Sequence, residues 1–243
     1  MNTHSRKRTA QLAGLVIAVS LLAACDRPIR SGNQETEHRD VTGFNVIDMR
    51  GAGKFEIKVG PAESVTLSGD SRVISRITTE VRDKTLVVNR DREWFWLEDN
   101  ERLTVNITLP QLTALRLSGA GDVNVSGLNG GSSSIALAGA GRMSAEGKLD
   151  ELTVNLSGAG HGDFSRVDAG SATVTMSGAG SIFVHPIDAL NATLNGVGSI
   201  EYDGNPTKIT SAIHGIGSIS QRSEHHHSRS KRWEDTDSET VHL

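Results

Sequence analysis

The sequence predicts an all-β protein whose chain winds into a single-stranded parallel β-helix, with a right-handed winding and coils of roughly 19–20 residues. Three observations predict this class. A glycine-rich string recurs at nearly constant intervals, apolar and polar residues alternate with a period of two, and helical spacing is almost absent. One repeat of this length cannot bury its own apolar side, so successive repeats must stack on one another.

The repeat is an apolar residue followed by Ser-Gly-Ala-Gly or a close variant of that string. Successive copies are 20, 19, 20, 18 and 19 residues apart. An earlier copy begins at Met49, and Leu67 begins a degraded one. With coils about 4.8 Å apart, residues 41–221 would make roughly nine turns. The six regular copies begin at Leu117, Leu137, Leu156, Met176, Leu194 and Ile213.

The glycines of each string predict a tight corner between two strands, where a β-carbon would obstruct the chain. Strands on either side are indicated by alternation such as Val154-x-Leu156. The residue between the two glycines is usually alanine, and we expect it to point inward. Its replacement by Val197 and Ile216 would then widen the interior towards the C-terminus.

The first 24 residues have the pattern of a bacterial signal peptide. A basic segment, residues 6–8, precedes an apolar run, residues 12–22, that is too short to span a bilayer comfortably. The following Leu22-Ala23-Ala24-Cys25 resembles a lipobox, which implies cleavage before Cys25 and acylation of that residue. Two or more acyl chains give stable membrane anchoring. The alternative is an ordinary signal peptide with an incidental cysteine.

Composition divides the remaining chain into three parts. Residues 25–40 read as a lipidated cysteine with a flexible tether, residues 41–221 as the β-helix domain, and residues 222–243 as a disordered charged tail. After residue 24 the chain has 22 basic and 29 acidic residues, which argues against a nucleic-acid partner.

With these features together, residues 41–221 resemble the head GIN domain family of adhesin-like proteins. The resemblance rests on the repeated Ser-Gly-Ala-Gly strings, on the stretch at residues 105–121, and on Tyr202-Asp203-Gly204-Asn205-Pro206. It implies a β-helix on an envelope protein. It supplies no catalytic residue, and fold alone does not establish function.

Stacking of the coils predicts that residues after each Gly-x-Gly form an outward column, in which Asp122, Arg142 and His161 occupy successive coils. Such a group could cut a polysaccharide by acid–base chemistry. The simpler interpretation is a polar column whose opposite charges favour packing between strands, and we favour it. A second column, beginning Ser118, Ala138 and Ser157, is expected to form a ladder of hydrogen bonds between short side chains.

An aromatic cluster interrupts the repeat at Trp94, Phe95 and Trp96. It could cap one end of the solenoid, because a terminal coil has to cover its exposed core. It could instead be an exposed patch that binds a partner or the bilayer surface. The capping hypothesis is the stronger of the two.

No metal or cofactor site is predicted. The string ending at Asp122 lacks the acids that a calcium-binding repeat would need in its other copies, and no helix follows any glycine-rich string to hold a phosphate. The triplet His225, His226 and His227 would bind metal only weakly, because a charged tail offers no fixed geometry.

We therefore expect a lipid-anchored, non-catalytic interaction, adhesion or structural module of a Gram-negative cell envelope, facing the periplasm. Its partners would be the membrane, through the lipid, and an envelope protein or glycan. A polysaccharide lyase or hydrolase and a signalling lipoprotein remain alternatives. Asp26, after the lipidated cysteine, resembles a signal for the inner membrane, but the sequence leaves the choice of membrane open.

Overall fold

The computed structural model describes residues 33–90 and 103–222. Sixteen strands and one single-turn helix make up the regular structure of this part, which confirms the all-β class. The elements are β1 (Gln34–Arg39), β2 (Val46–Arg50), β3 (Ala52–Val59), β4 (Ser64–Asp70), α1 (Ser71–Ile74), β5 (Ile77–Arg82), β6 (Thr85–Arg90), β7 (Thr104–Leu109), β8 (Ala114–Leu117), β9 (Ala120–Asn129), β10 (Ser132–Leu137), β11 (Ala140–Leu156), β12 (Ala159–Met176), β13 (Ala179–Leu194), β14 (Val197–Tyr202), β15 (Lys208–Ile213) and β16 (Ile216–Gln221).

Every coil has one strand that leads into the glycine corner and one that leaves it. We call these the entering side and the leaving side. The entering side stacks β6, β2, β8, β10, the second halves of β11, β12 and β13, and β15, all parallel. The leaving side stacks β7, β3, β9, the first halves of β11, β12 and β13, then β14 and β16, also parallel.

The strand register superimposes the apolar residues that precede the corners. Leu117 lies beside Leu137, and Leu137 beside Leu156. All three are almost completely buried. The column continues through Met176 and Leu194. The parallel β-solenoid with coils of about 20 residues is therefore confirmed.

The solenoid makes about five turns, whereas the length of residues 41–221 predicted roughly nine. Part of the difference lies in β4, whose Leu67 is not the start of a coil. Leu67 instead lies opposite Glu37 and Val105 in antiparallel pairs. The chain then places β6 and β7 on the outer side of β2 and β3 before returning to add β8 and β9 on the inner side.

The end of the solenoid nearest β6 and β7 is closed by elements outside the repeat. β4 and β1 extend the leaving side as antiparallel strands, and β5 extends the entering side in the same way. Between β4 and β5, the short helix α1 buries Val73 and Ile74 in the core. Trp94, Phe95 and Trp96 lie outside the described residues, so their capping role stays a prediction.

The glycine corners stack at backbone contact distance. A β-carbon on Gly139 would lie 1.7 Å from the carbonyl oxygen of Gly119 in the neighbouring coil, and one on Gly119 would lie 1.7 Å from that of Gly51. Gly141, the second glycine of its string, has φ +144° and its β-carbon would lie 1.9 Å from the Gly121 oxygen. Neither glycine of a regular string can therefore carry a side chain.

The residue between the two glycines points outward, so our expectation of an inward side chain was wrong. Ala140 and Ala159 are exposed, and their replacements Val197 and Ile216 are 54% and 74% exposed. The interior does not widen for them. Because the flanking glycines lie against the next coil, the intervening side chain projects to solvent.

One coil fills its core by a compensating pair. Phe164 is buried and lies beside Val184 of the following coil, and in the preceding coil the buried Ala145 stands two residues after Met143, as Phe164 stands two after Gly162. Gly162 occupies a core position filled by Met143 in the preceding coil. A β-carbon on Gly162 would lie 2.8 Å from the Phe164 ring, so the glycine makes room for the aromatic side chain.

We predict that Phe164→Ala lowers the free energy of unfolding by about 3–5 kcal/mol, because it leaves a cavity. Gly162→Met alone also destabilises, through its contact with the ring. The double variant recovers part of the loss, since it reproduces the Met143/Ala145 pair of the neighbouring coil. Denaturant unfolding of the full chain measures all three. Strictly additive losses would contradict this account of the core.

Candidate functional site

The leaving side carries the outward column that the repeat spacing predicted. Asp122 lies beside Arg142, and Arg142 beside His161. The column continues to Ser181, Ser199 and Ser218. Among the described residues no ion pair joins Asp122 to Arg142, whereas His161 Nδ1 lies 2.7 Å from Ser181 Oγ. The three predicted residues are therefore brought into register, and their role stays a prediction.

In a second outward column on the same side, the polar side chains form hydrogen bonds with one another. Asn124 Nδ2 donates to Glu56 Oε1 at 3.0 Å, and Ser144 Oγ donates to Asn124 Oδ1 at 2.6 Å. Lys54 Nζ lies 2.8 Å from Glu56 Oε1. Partial burial would raise the pKa of Glu56, but hydrogen bonds from Lys54 and Asn124 and the Lys54 charge outweigh it and lower that pKa.

Asp163 is the other carboxyl of this side with a distinct electrostatic setting. Its Oδ1 accepts hydrogen bonds from the Ser165 hydroxyl at 2.6 Å and from the Ser165 backbone N–H at 3.1 Å. Burial opposes ionisation, yet these bonds and the charges of His161 and Arg166 lower the pKa of Asp163. A general acid needs the opposite shift, so Asp163 and Glu56 are held as carboxylates rather than as proton donors.

Phe183 is an outward aromatic side chain that was not among the site residues predicted from the sequence. Its ring centroid is 5.2 Å from that of His161, and the Arg222 guanidinium carbon lies 4.9 Å from the ring centroid. The alternation of Ile182 and Val184 as inward residues would have identified Phe183 as outward. Both ring contacts are made by the protein's own side chains.

The entering side presents a different surface, which we call the hydroxyl face. It spans five successive coils and has two outward columns of short side chains without a charge. Its height is about 20 Å and its width about 7 Å, from strand spacing and rise. Arg116, beside Ala136, bounds it at one end. Its residues are Ser134, Ala136, Thr153, Asn155, Thr173, Thr175, Asn191, Thr193, Thr210 and Ala212.

The column beginning Ser118, Ala138 and Ser157 borders this face, and its hydrogen bonds differ from those expected. The hydroxyl of Ser157 donates to the backbone oxygen of Leu137 at 3.4 Å, and that of Ser118 to the oxygen of Met49 at 3.4 Å. The hydroxyl groups of these serines therefore bond to the backbone of the neighbouring coil and not to each other. A side-chain pair occurs only further along, between His214 and Asn195.

Several predicted residues lie outside the described part of the chain. These are Cys25, the aromatic cluster Trp94, Phe95 and Trp96, and the triplet His225, His226 and His227. Within residues 33–90 and 103–222, no cluster of three or more His, Cys, Asp or Glu could hold a metal ion. Over the same residues, the structure has no helix with the length and apolarity needed to cross a bilayer.

We predict that Asp163→Asn destabilises the protein near pH 7 and has less effect in acid. Because the pKa of Asp163 is lower in the folded chain, its stabilising contribution is complete above the ordinary value of 3.8 and is lost as the pH falls through the folded value. Denaturant unfolding of wild type and variant from about pH 7 to about pH 2.5 measures this. Ser165→Ala removes the hydroxyl that donates to Asp163, so the stability of this variant should change less with pH over the same range. A destabilisation that does not change with pH would contradict the assignment.

Solved structures with the same fold are found among bacterial adhesin-like proteins, whereas no curated protein sequence matches the chain. A protein described as a "putative adhesin" from Bacteroides fragilis has a TM-score of 0.64 and 21% identity, covering 78% of this chain and 97% of that one. A "putative lipid binding protein" from Parabacteroides distasonis has a TM-score of 0.43 and 20% identity, covering 79% and 98%. At these identities the first likeness shows a shared fold.

The family comparison covers most of the solenoid. The matching model is described as "Putative auto-transporter adhesin, head GIN domain", and it spans residues 43–206, from the loop before β2 to Pro206. This description indicates a protein of the cell envelope or surface. The chain belongs to the head GIN domain family of adhesin-like proteins.

Proposed function

We propose that this protein is a non-catalytic adhesion module, anchored to the bacterial cell envelope through a lipid on Cys25, which binds neutral glycans with its hydroxyl face. The observation that carries the proposal is the composition of that face. Five coils present threonine, serine and asparagine side chains in register, without a charged residue among them. Membership of an adhesin-like family supports the same role.

The chemistry of the hydroxyl face favours a neutral, hydroxyl-rich ligand. Hydroxyl and amide groups both donate and accept hydrogen bonds, as sugar hydroxyls do. A charged ligand would find no opposite charge within the face. Each contact is weak, so affinity would come from several coils that engage one extended polymer at once.

Binding of this kind also requires a rigid surface, and the pairing of each strand with its neighbours provides it. Thr173, for example, lies on a strand that pairs with the neighbouring coil on each side. Its side chain is branched at the β-carbon and has few rotamers to lose. A surface held in this way keeps the entropy cost of binding low.

The leaving side offers less support for catalysis. Asp122, Arg142 and His161 are in register, but the two carboxyls of this side with shifted pKa values, Glu56 and Asp163, are both stabilised in the ionised form. The acid–base pair of a glycan-cleaving enzyme requires one carboxyl with a raised pKa. A binding role therefore accounts better for the described side chains.

We predict that Thr173→Glu combined with Thr193→Glu reduces binding to neutral polysaccharides by about tenfold or more, because it places charges within the hydroxyl face. Ala140→Glu combined with Ala159→Glu is the matched control, since it adds two charges to exposed corner positions on successive coils. Binding of the full chain to immobilised neutral polysaccharides, measured by biolayer interferometry, tests both. Wild-type binding should change little with salt.

Three outcomes would contradict the proposal. Absence of binding to any neutral polysaccharide would reject the ligand class, and equal losses in both double variants would reject the hydroxyl face. Release of shortened glycan, abolished by Asp122→Ala, would instead identify the enzyme alternative at Asp122, Arg142 and His161.

Anchoring is tested separately. We predict that Cys25→Ala moves the protein from the membrane pellet to the soluble envelope fraction, because the variant lacks the thiol that would be acylated. Fractionation with immunoblotting measures the shift, and metabolic labelling with a fatty acid should fail for this variant alone. Retention of the variant in the membrane would contradict lipid anchoring without affecting the glycan proposal.

A further inference from the structure

We propose that two copies of this protein associate end to end, through the last coil of the solenoid, formed by β15 and β16. This surface differs from the hydroxyl face and its occupancy does not depend on the proposed function. Four features of the described residues support it: exposed core positions, unpaired strand edges, the contrast with the opposite end, and the equal lengths of the two strands.

The last coil exposes residues that are buried in every earlier coil. Ile209 and Ile213 are each 47% exposed. Their counterparts one coil earlier, Leu190 and Leu194, are 1% and 0% exposed. The register is the same, so the difference arises because no further coil covers the end. An apolar end of this kind is a liability for a solenoid unless something covers it.

The backbone of the last coil is also open. Within the described residues β15 pairs with β13 alone and β16 with β14 alone, which leaves the outer edge of each strand available. Natural edge strands are usually protected by charges, proline or bulges. Lys208 is the one charged residue in these two strands, and neither contains proline.

At the opposite end of the solenoid, the edge strands are protected by charged residues, unlike those of the last coil. Its outermost strands are β1, with Glu35, Glu37 and Arg39, and β5, with Glu80 and Arg82. Charged residues at these edges disfavour the addition of another strand. The two ends of the molecule therefore differ in kind, and the open one is the surface suited to pairing.

The composition of the chain after residue 222 makes it a poor match for this surface. Of the 21 residues from 223 to 243, twelve are charged or histidine. Covering the end would require apolar residues at alternate positions along a whole strand, and the segment has that spacing only at Val241 and Leu243. A second copy offers the same apolar, nearly uncharged surface and so has the complementary chemistry.

Two-fold symmetry brings β15 of one copy beside β16 of the other. β15 and β16 are both six residues long, with β15 running towards the corner and β16 away from it. A two-fold axis through the corner, in the plane of the end, therefore places β15 antiparallel to β16 of the second copy. Opposite residues of an antiparallel pair project to the same face, so the inward Ile209 then lies opposite the partner subunit's Ile219, which is also inward, and Lys208 lies opposite the partner subunit's Ser220.

The test is the mass of the full chain in solution, compared with that of Ile209→Lys combined with Ile213→Lys. Sedimentation equilibrium should give twice the mass of one chain for wild type and the mass of one chain for this variant, because the lysines repel across the interface. Ile187→Lys is the matched control, since Ile187 is 46% exposed and lies in β13, outside the last coil. It should remain a dimer. Circular dichroism verifies that both variants fold.

Register is tested with cysteines. In a Cys25→Ala background, Thr210→Cys combined with Ser218→Cys should yield disulfide-linked dimers, since the proposed pairing places these two outward positions beside each other in the two copies, whereas either substitution alone should not. A monomeric wild type would overturn the proposal. If a chain that ends at Arg222 dimerised while the full chain stayed monomeric, the C-terminal segment would be identified as the occupant instead.

Discussion

Backbone contact between stacked glycine corners is the constraint on which the rest of this structure depends. A β-carbon on the first glycine of each of the six regular strings would approach the neighbouring carbonyl oxygen to 1.7–1.9 Å. No side chain fits at that distance, so Gly-x-Gly recurs at this corner in each regular coil. The interval between strings then fixes the coil length, and the coil length fixes which residues share a column.

Columns explain both the core and the surface of the molecule. Inward columns such as that of Leu117, Leu137 and Leu156 bury one apolar side chain per coil, and outward columns repeat whatever polar group stands at that position. The leaving side became a set of charged and polar groups, several of which form hydrogen bonds or ion pairs with one another. The hydroxyl face of the entering side became uniform and uncharged. One repeat thus produces two faces of different chemistry.

The ends of a solenoid need a solution of their own, and this chain treats its two ends differently. Residues that depart from the repeat, including α1 with Val73 and Ile74, close one end, whereas the last regular coil forms the other. Such asymmetry is consistent with a module in which one end is closed against strand addition and the other is available for association.

The sequence by itself determined the fold class, the coil length and the columns, because these follow from spacing alone. It identified Asp122, Arg142 and His161 as neighbours for that reason. Only the tertiary structure decided the order of the first coils, where β6 and β7 lie outside β2 and β3, because antiparallel additions and a reversed stacking order leave no period to read. It also decided that Ala140 points to solvent, since side-chain direction at a corner depends on how closely the next coil approaches.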